Sequence, residues 1–171
     1  MAAFDLDADL ALRLTTNTFV PLFRRRRLRD ETTAWLHDHG YRIVALDAGR
    51  WTTEADLHRD VAAALDFPDY YGRTLDALDD CDVEAYEYGT TREATGLVLV
   101  LSRYDRFARA QPRAAQAVLD IVADRARGAA LFGHRIMALV QSDDPDIAFE
   151  PVGAMAVLWN DAEALDSSRR A

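Results

Sequence analysis

The stretch Leu97–Leu101 (LVLVL) is a continuous run of leucine and valine near the middle of the chain. A short apolar run without polar residues at alternate positions is typical of a strand buried on both faces of a sheet. Two further strand-like runs lie to either side of it, Tyr41–Leu46 (YRIVAL) and Ile136–Val140 (IMALV). Because the segments between these runs carry apolar residues at helical spacing, the sequence predicts three parallel strands joined by helices.

The connecting segments predict where those helices begin and end. Thr53, followed three residues later by Asp56, resembles a capping box and opens one helix. That helix should end near Phe67, because Pro68 disfavours helical geometry in the residue before it. The other predicted helical segments are Leu28–His37, Thr74–Cys81, Tyr104–Ala110 and Arg113–Arg127.

The two ends of the chain predict additions to this core. An amphipathic stretch, Leu6–Leu14, predicts an extra helical segment near the N-terminus, and Met155–Trp159 (MAVLW) predicts an added edge strand or hairpin. No internal repeat or linker divides the sequence. We therefore expect one α/β domain over residues 1–171, built on a small three-stranded parallel sheet flanked by helices. Residues 1–40 would be an N-terminal extension, and residues 143–171 a C-terminal extension.

The charge balance narrows the function. The chain has 171 residues, with 20 basic residues, all arginine, against 29 acidic ones, and a formal net charge of -9. Such a surface repels phosphate, so direct binding to nucleic acid is disfavoured. An acidic surface suits a basic partner, often a protein.

Three bulk features exclude other classes. The single cysteine, Cys81, has no partner for an internal disulfide or a cysteine-rich zinc site. The first ten residues carry acids where a signal peptide needs basic and apolar residues, and no apolar run approaches the roughly 20 residues that cross a bilayer. We expect a cytoplasmic protein that does not bind membranes.

The acidic residues concentrate in one part of the sequence. On the predicted short helix, Asp76, Asp79 and Asp80 stand at i, i+3 and i+4 and share one face, where each like-charged pair costs about 0.2 to 0.5 kcal/mol. A break of a local rule is more expected at a functional site than elsewhere, although a solvated acidic face is the alternative. Between residues 66 and 87, Arg73 is the only basic residue, and the acids are Asp66, Asp69, Asp76, Asp79, Asp80, Asp82, Glu84 and Glu87.

Other chemistries have weaker support. A calcium loop needs a sharp glycine turn that residues 76–87 lack, and paired carboxylates for acid and base catalysis would need a pocket that the sequence does not indicate. The triplet His37-Asp38-His39 is interpreted as a polar helix end, and the Arg24–Arg29 run as a solvated or self-pairing surface. No nucleophile elbow, dinucleotide fingerprint or Walker motif is present. We expect no metal, no cofactor and no enzymatic activity.

The segment DLHRDVAAALDFPDYYGRTLDALDDC, residues 56–81, resembles the barstar family of intracellular ribonuclease inhibitors. Family members carry a DLH-type helix followed by a P-x-YYG-x-x-LDAL-x-DC motif, and the elements stand here in the same order and spacing. The resemblance continues more loosely through the LVLVL, VLDIV and IMALV segments, so it covers roughly Ile43 to Gln141. It implies a three-stranded parallel sheet flanked by helices.

The resemblance also implies a mechanism. Family inhibitors press the LDAL helix and the YYG loop into the active site of a small secreted ribonuclease, in a complex of one inhibitor with one enzyme. By position, Asp80 would take the place of an RNA phosphate, Asp76 would lie beside it, and Tyr70 would pack on the enzyme. Asp124 on a later helix matches another acidic contact. The remaining partner-binding residues that the resemblance implies are Gly72, Thr74, Leu75 and Ala77.

Two departures from the family pattern concern the target. Asp79 stands where the best-known inhibitor has tryptophan, and a longer acidic loop after Cys81 offers Tyr86 as a substitute aromatic. Both residues are therefore included among the predicted partner contacts. The resemblance implies an inhibitor, or immunity protein, for a basic guanyl-specific microbial ribonuclease. The alternative is a barstar-like module that binds a different toxin or a regulatory protein.

Overall fold

The computed structural model describes residues 10–80 and 94–170, which form an α/β fold around a parallel sheet with the strand order β1-β4-β3-β2. All neighbouring strands in this sheet run parallel. The three predicted strands are confirmed, but the prediction of a three-stranded sheet is wrong by one short strand, β1. Two residues are too few to show a period, so β1 had no signal in the sequence. The strands are β1 Leu22–Phe23, β2 Tyr41–Asp47, β3 Gly96–Ser102 and β4 Arg135–Gln141.

The central strand β3 is buried between β2 and β4. Its register pairs Leu97 with Arg42 on one side and with Ile136 on the other. At the start of β3, a Cβ on Gly96 would lie 2.3 Å from the carbonyl oxygen of Arg135, so only glycine fits there. The apolar run that follows is thus placed between two strands without a bulge.

Helices cover both faces of the sheet. Those on one face, α3, α5 and α6, lie in the connections between the three long strands, whereas α2 links β1 at one edge to β2 at the other. Two turns of 3₁₀ helix, Ala48–Arg50 and Asp161–Glu163, complete the described secondary structure. The helices are α1 Leu10–Thr15, α2 Arg26–Asp38, α3 Glu54–Leu65, α4 over residues 75–80, α5 Tyr104–Ala110, α6 Pro112–Leu131 and α7 Asp166–Arg170.

The helix α3 begins with the predicted capping box. The Thr53 hydroxyl accepts from the Asp56 backbone N–H, and the Asp56 carboxylate accepts from the Thr53 N–H at 3.0 Å. The helix ends at Leu65, two residues before the predicted end, because Asp66 adopts a left-handed conformation with φ of 55°. The chain therefore turns away from α3 one residue ahead of the predicted boundary residue, Phe67.

Two apolar clusters fill the space on either side of the sheet. The larger one joins α3, α5 and α6 to the sheet and includes Trp51, Leu57, Phe107 and Leu119. The smaller one packs α1 and α2 against the opposite face, where Phe23 meets buried side chains of β3 and β4. Among the described residues, no helix is long and apolar enough to cross a membrane.

The N-terminal and C-terminal extensions meet at the β1 edge. The Leu22 N–H donates to Leu158 at 2.8 Å, and the Asn160 N–H donates to the Leu22 carbonyl at 2.9 Å. The segment predicted as an edge strand or hairpin, Met155–Trp159, makes isolated bridges, Trp159 with Leu22 and Met155 with Val152, rather than a continuous strand. The two extensions thus pack on one another as well as on the core.

The arginine run Arg24–Arg29, which leads from β1 into α2, forms ion pairs with acidic residues of the same chain, which confirms the self-pairing interpretation. Arg25 contacts Glu163, Arg26 contacts Asp143, and Arg27 contacts Glu31. These contacts neutralise the run within the protein's own surface.

Candidate functional site

The loop after α3 presents one tyrosine and buries the next. Its turn is closed by the Tyr71 N–H, which donates to the Pro68 carbonyl at 2.9 Å. Tyr70 lies at the tip and is 74% exposed, whereas Tyr71 is 7% exposed and belongs to the core. A large aromatic side chain held outward on an anchored turn is a typical contact residue for a protein partner.

Tyr71 is anchored from below by α3. Its hydroxyl lies 2.5 Å from Nδ1 of His58, and its ring packs edge-to-face on Phe67 at 4.9 Å between centroids. His58 is 1% exposed, and within the described part of the chain its Nε2 has no hydrogen-bond partner. Burial lowers the pKa of His58 below its ordinary value of 6.5, and the positive charge of Arg73 lowers it further, while Glu54 raises it. The buried imidazole is therefore stabilised in its neutral form.

The acidic helix α4 has a defined beginning. The Thr74 hydroxyl accepts from the Ala77 N–H at 3.1 Å, which makes Thr74 the N-cap, and the Leu78 N–H donates to the Thr74 carbonyl at 2.8 Å. Asp76 consequently lies in the first turn, where a negative charge favours the helix dipole. Just before this cap, Arg73 has φ of 52°, a left-handed conformation that turns the chain into the helix.

The apolar side of α4 is inserted between α3 and α6. Leu78 is 5% exposed and lines a small cavity of about 20 Å³ together with Val61 of α3 and Val118 of α6. Leu75 and Ala77 are half-buried and pack on the same cluster. These two predicted contact residues therefore support the helix in the free protein and present only part of their surface to solvent.

The carboxylates of α4 have different surroundings. Asp76 and Asp80 are exposed, and among the described residues neither forms an ion pair with a basic side chain. Asp79 is half-buried and contacts Arg125 of α6, with its Oδ1 at 2.8 Å from Nε and 2.6 Å from Nη2. Two of the three aspartates on this helix thus face solvent, and the third is bound within the protein.

The remaining predicted residues lie near this helix or outside the described part. Asp124 is exposed on α6, next to the residue that contacts Asp79, and Arg127 lies 3.8 Å from its Oδ1. Gly72 is exposed, and a Cβ there would lie 3.3 Å from Cβ of Ala77. Tyr86 lies outside the described residues. In residues 10–80 and 94–170, no three His, Cys, Asp or Glu side chains are grouped to hold a metal ion.

Comparison with known proteins identifies the family of the part of the chain that contains this site. The family model described as "Barstar (barnase inhibitor)" matches residues 41–141. The chain belongs to the barstar family. The match begins two residues before the stretch expected from the motifs, at the first residue of β2, and ends with β4. The residues that the family model matches therefore include the three long strands, α4 and the loop before α4.

A curated relative matches a part of the chain. The protein named "Putative ribonuclease inhibitor YrdF" from Bacillus subtilis (strain 168) is 50% identical to this chain over 40 residues. That alignment covers 23% of this chain and 44% of the relative, so the shared part is less than half of either protein.

Two features of this barstar-family site were not predicted from the sequence. Arg125 was not among the predicted site residues, although it follows Val118 by seven residues and so lies on the apolar face of α6. A charged residue at such a position needs a partner, which is a usable signal. The contact of His58 with Tyr71 had no comparable signal, since a buried histidine pairs with many residue types.

Proposed function

We propose that this protein inhibits a small basic ribonuclease of the guanyl-specific type by inserting α4 and the YYG loop into the active site of the enzyme. The observation that carries the proposal is the pair of exposed carboxylates, Asp76 and Asp80, on a helix whose other side is fixed between α3 and α6. Ribonucleases hold RNA phosphate with basic groups, and a carboxylate forms charge-assisted hydrogen bonds with the same groups. Membership of the barstar family supports this role.

The proposed contact surface consists of parts with different tasks. Asp80 replaces the phosphate, Asp76 and Asp124 add negative charge, and Tyr70 packs on the enzyme as the exposed aromatic. Gly72, Thr74, Leu75 and Ala77 bring the backbone and the first turn of α4 close to the partner, and Tyr86 is proposed as a second aromatic contact. The net charge of -9 speeds encounter with a basic enzyme.

In the proposed function, the protein acts by binding and not by catalysis. It stays in the cytoplasm, forms a complex of one inhibitor with one ribonuclease, and protects the RNA of the cell that makes the enzyme. An immunity role of this kind needs an inhibitor that is folded before the enzyme appears, and α4 is capped and packed in the free protein.

Titration of ribonuclease activity tests the proposal. The purified protein is added to barnase and to other guanyl-specific bacterial ribonucleases, and hydrolysis of RNA is followed at micromolar inhibitor. We expect at least one enzyme of the panel to lose activity with an endpoint of one inhibitor per enzyme. Full activity across the panel would reject the ribonuclease target and favour a module that binds another toxin or a regulatory protein.

Matched charge removals locate the contact surface on the enzyme that is inhibited. Asp80→Asn should weaken the complex about 100-fold, since it removes one member of an ion pair that is buried on binding. Asp66→Asn removes the same charge from the end of α3, where asparagine tolerates the left-handed backbone, and should change affinity less than about threefold. Equal effects of the two substitutions on the dissociation constant would place the contact surface elsewhere.

A further inference from the structure

We propose that Arg125 is a positioning residue for α4, because its ion pair with Asp79 fixes the acidic helix on α6. Asp79 then binds within the protein and does not contact the partner. The effect on partner binding rests on the ribonuclease-inhibitor function proposed above, whereas the effect on α4 in the free protein does not.

The contact joins two elements that are distant in sequence. Both Nε and Nη2 of Arg125 approach the same oxygen of Asp79, at 2.8 Å and 2.6 Å, and both side chains are only partly exposed. Arg125 lies on the face of α6 that also carries Val118 and Val122, and these two side chains line the same cavity as Leu78. The ion pair therefore lies at the edge of the apolar contact between α4 and α6.

The helix α4 needs a contact with the rest of the protein to be stable. Its described part, residues 75–80, is too short to be stable in isolation, and its aspartates repel one another at i, i+3 and i+4. Pairing Asp79 with a cation removes one of these charges from the repulsion. The ion pair also attaches the polar side of α4 to α6, while Leu78 packs on the apolar side.

The ion pair also sets the spacing of the carboxylates that remain. Asp80 follows Asp79 on α4, and Asp124 precedes Arg125 on α6. Joining Asp79 to Arg125 therefore holds Asp80 and Asp124 in a fixed relation, although they belong to different helices. A partner with basic groups at matching positions would bind a preorganised surface, which saves the entropy of ordering it.

In the competing interpretation, Asp79 contacts the partner directly, and Arg125→Ala changes the affinity for the partner in the opposite direction. If Asp79 contacts the enzyme directly, then Arg125→Ala frees its carboxylate, makes the protein more acidic and strengthens binding to a basic partner. If Arg125 positions α4, then the same substitution loosens the helix and weakens binding through faster dissociation. The two interpretations are therefore separated by the direction of one change.

Hydrogen exchange in the free protein tests the positioning role without any partner. The readout is the Leu78 amide, which donates to Thr74 within α4, and the internal reference is a β3 amide such as that of Val98. Arg125→Ala and Asp79→Ala should each speed exchange at Leu78 by about three- to tenfold, the effect of losing a partly exposed ion pair. The double variant should add no further effect.

Arg113→Ala is the matched control. It removes the same charge from the start of α6, at an exposed position far from α4 in sequence, and should leave exchange at Leu78 unchanged. Unchanged exchange in both Arg125→Ala and Asp79→Ala would overturn the proposal. Equal acceleration at Leu78 and Val98 would also overturn it, because that pattern reports lower global stability instead of loosening of α4.

Binding kinetics to barnase supply the second readout. We expect Arg125→Ala to raise the dissociation rate about three- to tenfold with little change in the association rate, and Arg113→Ala to leave the dissociation rate unchanged. Tighter binding by Arg125→Ala would show that Asp79 is a partner contact and would overturn the proposal. If barnase does not bind the unmodified protein, the same rates are measured with the enzyme of the panel that the protein inhibits. If no enzyme of the panel is inhibited, the ribonuclease target is rejected and the exchange experiment alone decides the role of Arg125.

Discussion

At the residue scale, adjacent side chains of the site have opposite tasks. Tyr70 projects into solvent, whereas Tyr71 packs in the core with its hydroxyl on His58. The aspartates of α4 divide in the same way, since Asp79 is bound to Arg125 and Asp80 is exposed. The side chains that face inward hold the backbone from which the outward ones project. A substitution at Tyr71 or Asp79 should therefore change partner binding indirectly, through the position of the loop or helix.

The buried His58 predicts a pH dependence of stability. Burial lowers its pKa in the folded protein below the ordinary value of 6.5, so the unfolded chain takes up a proton first as the pH falls. The free energy of unfolding should therefore decrease as the pH is lowered through about 6.5, by at most about 1.4 kcal/mol per pH unit. Urea unfolding between pH 8 and pH 5 measures this slope.

His58→Gln is the control for that slope. The variant should be less stable at pH 8, because it changes the contact with Tyr71, but its stability should be nearly constant from pH 7.5 to pH 5.5. The carboxyl groups with lowered pKa, such as Asp47 and Asp143, lose their contribution only at lower pH. A slope retained by the variant would assign the pH dependence to other groups.

At the element scale, α4 is held by three contacts of different kinds. The Thr74 cap fixes its beginning, Leu78 fixes its apolar side, and Asp79 fixes its polar side on α6. The cap contributes about 1 kcal/mol by analogy with other N-caps. Of the three, the apolar contact removes the most surface from water, so it should dominate the stability of the element.

Leu78→Ala tests the apolar contact. The substitution enlarges an existing cavity between α3 and α6 and should lower the free energy of unfolding by about 2 to 4 kcal/mol. Leu165→Ala removes the same atoms from a side chain that is 71% exposed and should cost less than about 0.5 kcal/mol. Chemical unfolding of both variants gives the comparison, and similar losses would mean that α4 does not depend on Leu78.

How far the sequence predicts these elements depends on the range of the interactions that define them. The capping box of α3 and the apolar run of β3 are local patterns, and both were predicted to within two residues. The YYG and LDAL motifs located the candidate site because they are local as well. The strand β1 depends on residues far apart in the chain, so no local pattern predicts it. The place of Arg125 on the apolar face of α6 indicates that it needs a partner, but no local pattern identifies that partner as Asp79.

At the scale of the whole molecule, the family core is completed by segments outside it. The barstar match covers residues 41–141, whereas β1, α1, α2 and α7 lie before or after it. Of these segments, α1 and α2 cover the second face of the sheet, and β1 pairs with β4 at its edge. The acidic helix α4 lies within the residues that the family model matches.

A single buried carboxylate links the two extensions. Glu163 is 0% exposed and accepts from the backbone N–H groups of Arg24 and Arg25 at 2.9 Å and 2.8 Å, and from the side chains of Arg25 and Asn160. Arg25 is the N-cap position of α2 and has no side-chain cap of its own. The carboxylate of Glu163 thus binds the backbone N–H of the N-cap residue of α2 from the C-terminal extension, at the end of the helix where a negative charge is favourable.

Glu163→Gln should therefore loosen both extensions together. Loss of the buried negative charge leaves these donors poorly paired and should lower the free energy of unfolding by about 3 kcal/mol. Amide exchange at Ala138 and Val140, which donate to Phe19 and Pro21 beside β1, should accelerate. Glu150→Gln at an exposed position is the matched control and should change neither measurement. Protection of these two amides equal to that of the unmodified protein would contradict the linking role of Glu163.

The position of β1 also fixes an order of events during synthesis. This strand leaves the ribosome before its partner β4, and the segment that covers its other side, around Trp159, follows later still. Until then, Leu22 and Phe23 have neither of the backbone segments that pair with β1, and their apolar side chains are uncovered. Nascent or truncated chains that end soon after β4 would contain a folded acidic helix but lack the segment around Trp159 that covers β1. Such chains, and not chains in which Trp159 has reached β1, should be the aggregation-prone species in the cell.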